Sequence, residues 1–360
     1  MKKSYFLKRL LFIPLTLFGI MVLNFLFIQL APGGPVEQVL MRLESGQPMS
    51  ATARISGESS EIPQTTSGYR GAQGMREDLK QELIKRFHFD QPAVVRFFKM
   101  MWDFIRFDFG KSFYQDKTVL QLIAEKMPVS MSLGIFSTLL IYCLSIPLGI
   151  QKAVRQNTRF DIVSSWILTI FYAIPAFLLS IFFIIFFAAG RYFNWFPLTG
   201  LVSSDWADFS FFHKIGDYLW HLVLPVLSLS LGGMATLTFL TRNSFLDEIH
   251  KNYCLTAKAK GASEKRILYK HVFRNAMLIV MAGFPVMLIG MLFTGSVLIE
   301  VIFSLDGLGL LGYEAIQTRD YPVVFGTLYL FALLGLVLNL LSDFIYTRID
   351  PRINFDERLS

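Results

Sequence analysis

Residues Asn252–Asn275 read NYCLTAKAKGASEKRILYKHVFRN, a strongly basic stretch between two long apolar segments. Gly261 separates two short amphipathic pieces, so the pattern is helix–Gly–helix and not a tether. Basic connections between spans belong on the cytoplasmic side of a membrane. A structured one points to a docking surface for a soluble partner. Tyr253, Leu255, Thr256, Ala257 and Ala259 supply small and apolar contacts, with Lys258 and Lys260 as charge at the rim. An amphipathic helix enters a groove by its apolar face. Gly261 permits a sharp turn, after which Ser263 caps the next helix. Acidic lipid heads also attract such bases, but adsorption to lipid needs neither the Gly break nor this order of small residues.

Composition places that loop in a membrane protein. The 360 residues are 53% hydrophobic and 17% charged, with a mean hydropathy of +0.48. That is too apolar for a soluble chain of this size. The net charge of +7 sits mostly beside apolar runs, where it reads as an orientation signal and not as a nucleic-acid surface. Cys143 and Cys254 make neither a disulfide framework nor a metal set.

A helix needs about 20 apolar residues to cross a bilayer. Six segments qualify: Leu10–Leu30, Ser130–Ile150, Ile162–Ala189, Leu219–Leu240, Ala276–Ile302 and Phe325–Tyr346. The first follows Lys2, Lys3, Lys8 and Arg9 and is longer than a secretory h-region, so it is expected to remain as an uncleaved span. Pro14, Pro147, Pro175, Pro225 and Pro285 are expected to kink their helices, and Gly232-Gly233, Gly290 and Gly295 to let helices approach closely. Lys152, Arg155 and Arg159, the bases of the Asn252–Asn275 loop with Arg242, and Arg348, Arg352 and Arg358 share one side. Both termini are therefore expected to be cytoplasmic. The fold class is an all-α polytopic membrane protein with an external helical segment between the first two spans.

The expected organisation is a first span over 1–31, an external region over 32–128, a five-span core over 129–347 with the basic loop at 242–275, and a tail over 348–360. Within the external region, 45–74 is rich in Gly, Ser, Thr and Gln and reads as a loop. Met75–Lys126 is amphipathic and reads as short helices, with Pro92 at a first turn.

Several apparent motifs lack their context. Gly307–Gly312 imitates a dinucleotide fingerprint without a preceding strand, and Gly110-Lys111-Ser112 imitates the end of a phosphate loop with Ile105 in place of the first Gly. The histidines are scattered, so no metal site is indicated. No Walker motif is visible, so any ATP hydrolysis must reside on another polypeptide.

The order Thr256-Ala257-Lys258-Ala259-Lys260-Gly261, Ser263-Glu264 and His271-Val272-Phe273-Arg274-Asn275 resembles the cytoplasmic Glu-Ala-Ala loop of ABC importer permeases, in the dipeptide/oligopeptide/nickel subfamily. Phe89–Pro92, Asp108–Ser112, Ile174–Phe177, Phe196–Gly200, Leu224-Pro225, Gly307–Gly309, Arg319–Pro322 and Asp350–Arg352 follow that subfamily's order. The loop departs from the motif at its namesake, reading Leu255-Thr256-Ala257. The resemblance implies a type I importer permease fold in a bacterial inner membrane. It implies that Tyr253–Gly261 is the coupling helix seated on a separate ATPase, which carries ATP and Mg. It also implies a second, paralogous permease subunit and a periplasmic substrate-binding protein. The chain is expected to bind no cofactor itself. The polar insert around 45–74, after Ala31–Pro35, is most similar to permeases for oligopeptides and for peptide-nucleotide antibiotics of the microcin C type.

The substrate path is less legible. Asn24 and Ser296 are polar groups within spans, and Glu300 is the clear carboxylate near a span end, suited to a peptide amine or to a structural partner. Asp217 and Asp343 read as solvated or capping groups. An ion-gradient-driven secondary transporter is the alternative, though it calls for repeats and buried mid-span charge that are not evident.

Overall fold

The computed structural model describes residues 2–30, 91–190, 192–293 and 297–349. In chain order the helices are α1 (Lys2–Leu30), α2 (Ala93–Ile105), α3 (Val119–Val154), α4 (Arg159–Ala173), α5 (Ala176–Phe187), α6 (Phe211–Ile249), α7 (Asn252–Ala259), α8 (Glu264–Arg266), a π-helical stretch (Ile267–Val272), α9 (Phe273–Phe293), α10 (Val297–Ile302), α11 (Leu308–Thr318) and α12 (Tyr321–Ile349). No strand occurs among the described residues; Lys111 and Thr118 form an isolated bridge.

Among the described residues, four helices are long and apolar enough to cross a membrane: α1, α3, α6 and α12. The pair α4 and α5 adds a fifth span if it counts as one. The expected span Ala276–Ile302 is divided between α9 and α10, with 294–296 outside the described residues. Phe27 (70% exposed) and Trp166 (67% exposed) are apolar surface of the kind a bilayer solvates.

The expected boundaries need correction in two places. Helix α3 begins eleven residues before Ser130, at Val119, because Gly110 O accepts from Val119 N and Gln121 accepts from Thr118 N to start it early. The expected kink at Pro175 is a break: α4 and α5 meet at 99°. Ile174, ahead of a proline, is pushed to extended backbone (φ −86°, ψ 122°), and Pro175 has no N–H to continue the helix. Pro147 and Pro225 remain inside continuous helices.

The chain divides into two compact units. One contains 11–126 and 310–334. Its core is aromatic, with Phe104 edge-on to Phe109 (4.9 Å) and to Tyr329 (5.4 Å), and Phe97 edge-on to Phe25 (5.2 Å). It also unites two of the motif segments. The Asp320 carboxylate accepts from Ser112 Oγ and, at 3.1 Å, from Phe113 N. Ser112 therefore anchors a turn instead of cradling a phosphate.

The other unit contains 1–10, 127–309 and 335–360. Here α3 and α6 pack with almost no side chain between them. A Cβ on Gly149 would stand 2.6 Å from Thr241 Cβ and 2.8 Å from Thr238 O. Ser145 donates to Met234 O at 3.1 Å across the same seam. Of the glycines expected to allow close approach, Gly233 does so against Ile141, while the space beside Gly232 is open. Gly295 lies outside the described residues. One core cluster in this unit joins Ile141, Phe245, Cys254, Val272 and Ala276; another joins Leu133, Leu222, Ile299 and Phe303.

Candidate coupling loop and the charge cluster above it

The loop after α6 is built by short-range rules. Helix α7 stops because its last turn is closed by a paired bond: Ala262 N donates to Ala257 O (3.1 Å) and Gly261 N to Lys258 O (3.0 Å). That is a Schellman closure, and it places Gly261 at φ +78°, where a side-chain-bearing residue is strained. Ser263 then accepts from Arg266 N at 3.4 Å and opens α8. The π-helical turn Ile267–Val272 follows, and Val272 and Ala276 are completely buried.

The candidate residues divide between two faces of α7. Tyr253, Cys254 and Ala257 face the protein, Cys254 being buried and the other two half-buried. Cys254 belongs to the Phe245–Val272–Ala276 cluster. Tyr253 Oη donates to Glu248 Oε2 at 2.7 Å, and the other Glu248 oxygen pairs with Lys251. Burial first, and then the Glu248 carboxylate, push the Tyr253 phenol well above its ordinary value; burial likewise raises the Cys254 thiol. Leu255, Thr256, Lys258, Ala259 and Lys260 face outward, with Leu255 65% exposed. Glu264 is exposed too and pairs with Lys258 at 3.6 Å. Leu255 thus stands in a field of small and basic residues on a helix whose other face is already occupied.

The substrate-path candidates are not gathered into one place. Asn24 donates to Ile20 O within its own helix (2.9 Å). Ser296 lies outside the described residues. Glu300 is fully buried: Ser130 Oγ donates to its Oε1 at 3.2 Å, and the same Oγ accepts from Leu308 N at 2.8 Å. A Cβ on Gly307 would meet the Glu300 carboxylate at 2.5 Å, so the Gly307 turn closes directly over it. The Gly307 motif is therefore the cover of a buried acid. Of the two expected roles for Asp217 and Asp343, solvated or capping, the structure shows neither as a free solvated group. Asp217 accepts from Ser203 N (2.9 Å) and Oγ (2.6 Å), pinning the loop ahead of α6, and Asp343 pairs with Arg9.

Lys152 and Arg242 read in the sequence only as orientation charges. In the structure they meet on Asp161. Arg242 grips the carboxylate with both arms, Nε to Oδ1 at 3.0 Å and Nη2 to Oδ2 at 2.7 Å. Lys152, with no exposed surface, lies 3.0 Å from Oδ1 and donates to Asp161 O, Ser164 Oγ and Ser165 Oγ at 2.7 Å each. Asn157 N also donates to Asp161 Oδ2, at 3.2 Å. The Thr158 N-cap was a usable signal for the start of α4; the pairing with Arg242 across 81 residues left no local signal. Among the described residues no His, Cys, Asp or Glu group could hold a metal ion.

Residues 145–355 match the family described as binding-protein-dependent transport system inner membrane component. The chain belongs to this family. It is 54% identical to the inner membrane ABC transporter permease protein YejB of Escherichia coli O157:H7, over 99% of this chain and 100% of that one. It is equally identical to the peptidoglycan transport system permease protein YejB of Agrobacterium fabrum strain C58, over 99% of both chains. The oligopeptide transport system permease protein AppB of Bacillus subtilis strain 168 is 31% identical over 98% of this chain and 99% of its own. The chain is thus an inner-membrane permease subunit of an ABC importer, with the helical type I permease fold, and the ion-gradient alternative falls. The family match includes α6, the whole α7–α9 loop and the Lys152–Asp161–Arg242 cluster.

Proposed function

We propose that this permease forms half of the path by which an ATP-driven importer takes up oligopeptides and peptide-like compounds, peptide-nucleotide antibiotics of the microcin C type among them. Helix α7 seats in a cleft on a separate ATPase, which binds ATP and Mg and performs the hydrolysis. The other half of the path is a paralogous permease, and a periplasmic binding protein delivers the substrate. Both termini and the α7 loop face the cytoplasm. The observation that carries this reading is the outward face of α7. A structured eight-residue helix, fixed from behind by Tyr253 and Cys254, holds Leu255 65% exposed among Thr256, Ala259 and lysines. An apolar anchor ringed by small residues suits a protein groove. The peptide substrate is supported by relatives named for oligopeptide and peptidoglycan transport.

The test is a photo-cross-linker placed at Leu255 in the chain within native membranes. An adduct with an ATP-hydrolysing subunit is expected. Adducts with lipid alone, or labelling by a reagent confined to the periplasm, would overturn the docking assignment.

A further inference from the structure

Docking of α7 leaves the Lys152–Asp161–Arg242 cluster unexplained. Its members come from three helices: Lys152 near the end of α3, Asp161 in the first turn of α4, Arg242 in α6. Helix α6 continues unbroken from Arg242 to Ile249, and only His250 and Lys251 separate it from α7. The seven steps from Arg242 to Ile249 span about 10 Å, and a helix of that length moves as a rod. Tyr253 of α7 donates to Glu248, in the last turn of that rod, at 2.7 Å, so a displacement of α7 is passed to α6 and on to Arg242.

At that point α6 does not merely touch α4. A two-armed guanidinium–carboxylate contact fixes orientation as well as distance. The far side of Asp161 is held by Lys152 and by Asn157 N. Parting α4 from α3 or α6 would leave a buried charge without its counterpart. Stability alone is a poor reason for such a cluster, because apolar groups of similar volume often stabilise a buried site as well or better. A directional grip is what a joint between moving helices requires.

We propose that Lys152, Asp161 and Arg242 are positioning residues that form a coupling brace, conveying displacement of α7 through α6 to the bent pair α4–α5. This rests on the docking reading above. ATP-driven motion at the loop becomes movement of α4 and α5 only while Arg242 keeps both arms on Asp161.

The experiment uses the whole complex, purified from native membranes and reconstituted in proteoliposomes. ATP hydrolysis and uptake of a radiolabelled tryptic digest are measured together for the wild type and for Arg242→Lys, which keeps the charge but offers a single point of contact. With the ATPase still bound and hydrolysing, peptide taken up per ATP is expected to fall about fivefold or more. An unchanged ratio overturns the brace, whether both rates fall in proportion, as a merely structural role predicts, or neither changes. Loss of the bound ATPase also overturns it, since Arg242 would then act on docking. If R242K does not insert, Asp161→Asn is read by the same ratio. A wild-type complex without an ATPase subunit, or without ATP-dependent uptake, shows instead that the docking reading has failed, and the brace falls with it.

Discussion

The two ends of α6 solve opposite problems. Ahead of the helix, the loop is fastened to itself. Asp217 holds Ser203 by backbone and side chain, Trp206 Nε1 donates to Lys214 O (3.2 Å), and the Lys214 ammonium lies 5.0 Å from the Trp206 ring centre. Phe211 and Phe212, exposed there, are aromatic and suit a membrane interface. Beyond the helix, the buried contacts of α7 come from one side: Tyr253 to Glu248, and Cys254 to the Phe245–Val272 cluster. The other side leaves Leu255 bare among lysines. One end is finished within the chain and the bilayer. The other leaves Leu255 exposed, and the docking proposed above would cover it.

Substitutions at four positions break or sharpen this contrast. The largest effect is expected from Leu255→Asp, which puts a charge at the centre of the outward face. Binding of the ATPase should weaken by about 2–4 kcal/mol, as for a hot-spot residue, with membrane insertion unchanged; co-purification and a protease-protection assay measure the two. An unchanged ATPase yield would erase the difference between the ends. Next, Gly307→Ala drives a methyl into the Glu300 carboxylate and should destabilise the closed end by about 1–3 kcal/mol, seen as a lower Tm in detergent with ATPase binding retained. Gly261→Ala meets no neighbour but must keep φ near +78°, so a loss of about 1–2 kcal/mol is expected from the backbone alone. A restoring Gly261→Asn, a residue that tolerates this region, distinguishes conformation from lost contact.

Tyr253→Phe is the mildest. It removes one hydrogen bond to Glu248 and should lower stability by about 0.5–1.5 kcal/mol. Because the folded phenol titrates above its unfolded value, its contribution is complete below pH about 10 and is lost as pH rises past that point. The wild type should therefore lose more stability than Tyr253→Phe in alkaline melts. Parallel curves would remove Tyr253 from the fixing of α7.

The loop was legible because it is local. Gly261 and Ser263 act on backbone groups within five residues, so their identities announce the turn and the cap. The split of α7 into two faces was only half legible. Its apolar residues are too few and too small to show which face the protein itself would occupy. The Gly307–Gly312 motif showed neither the helix that opens at Leu308 nor the Glu300 carboxylate beneath Gly307. Ser112 and Asp320 stood in separate motifs, 208 residues apart, with nothing in either to name the other.

From the sequence alone came the class of molecule, the apolar runs and the family. Each follows from residues acting over one or two helical turns, or from hydropathy summed along a span. Tertiary structure alone decided that Lys152 and Arg242 share Asp161, that Gly149 and Gly233 admit a neighbouring helix while Gly232 does not, and that α4 and α5 meet at a right angle. The physical reason is range. A charge or a glycine carries the same composition wherever it points, and its partner is set by how whole helices pack.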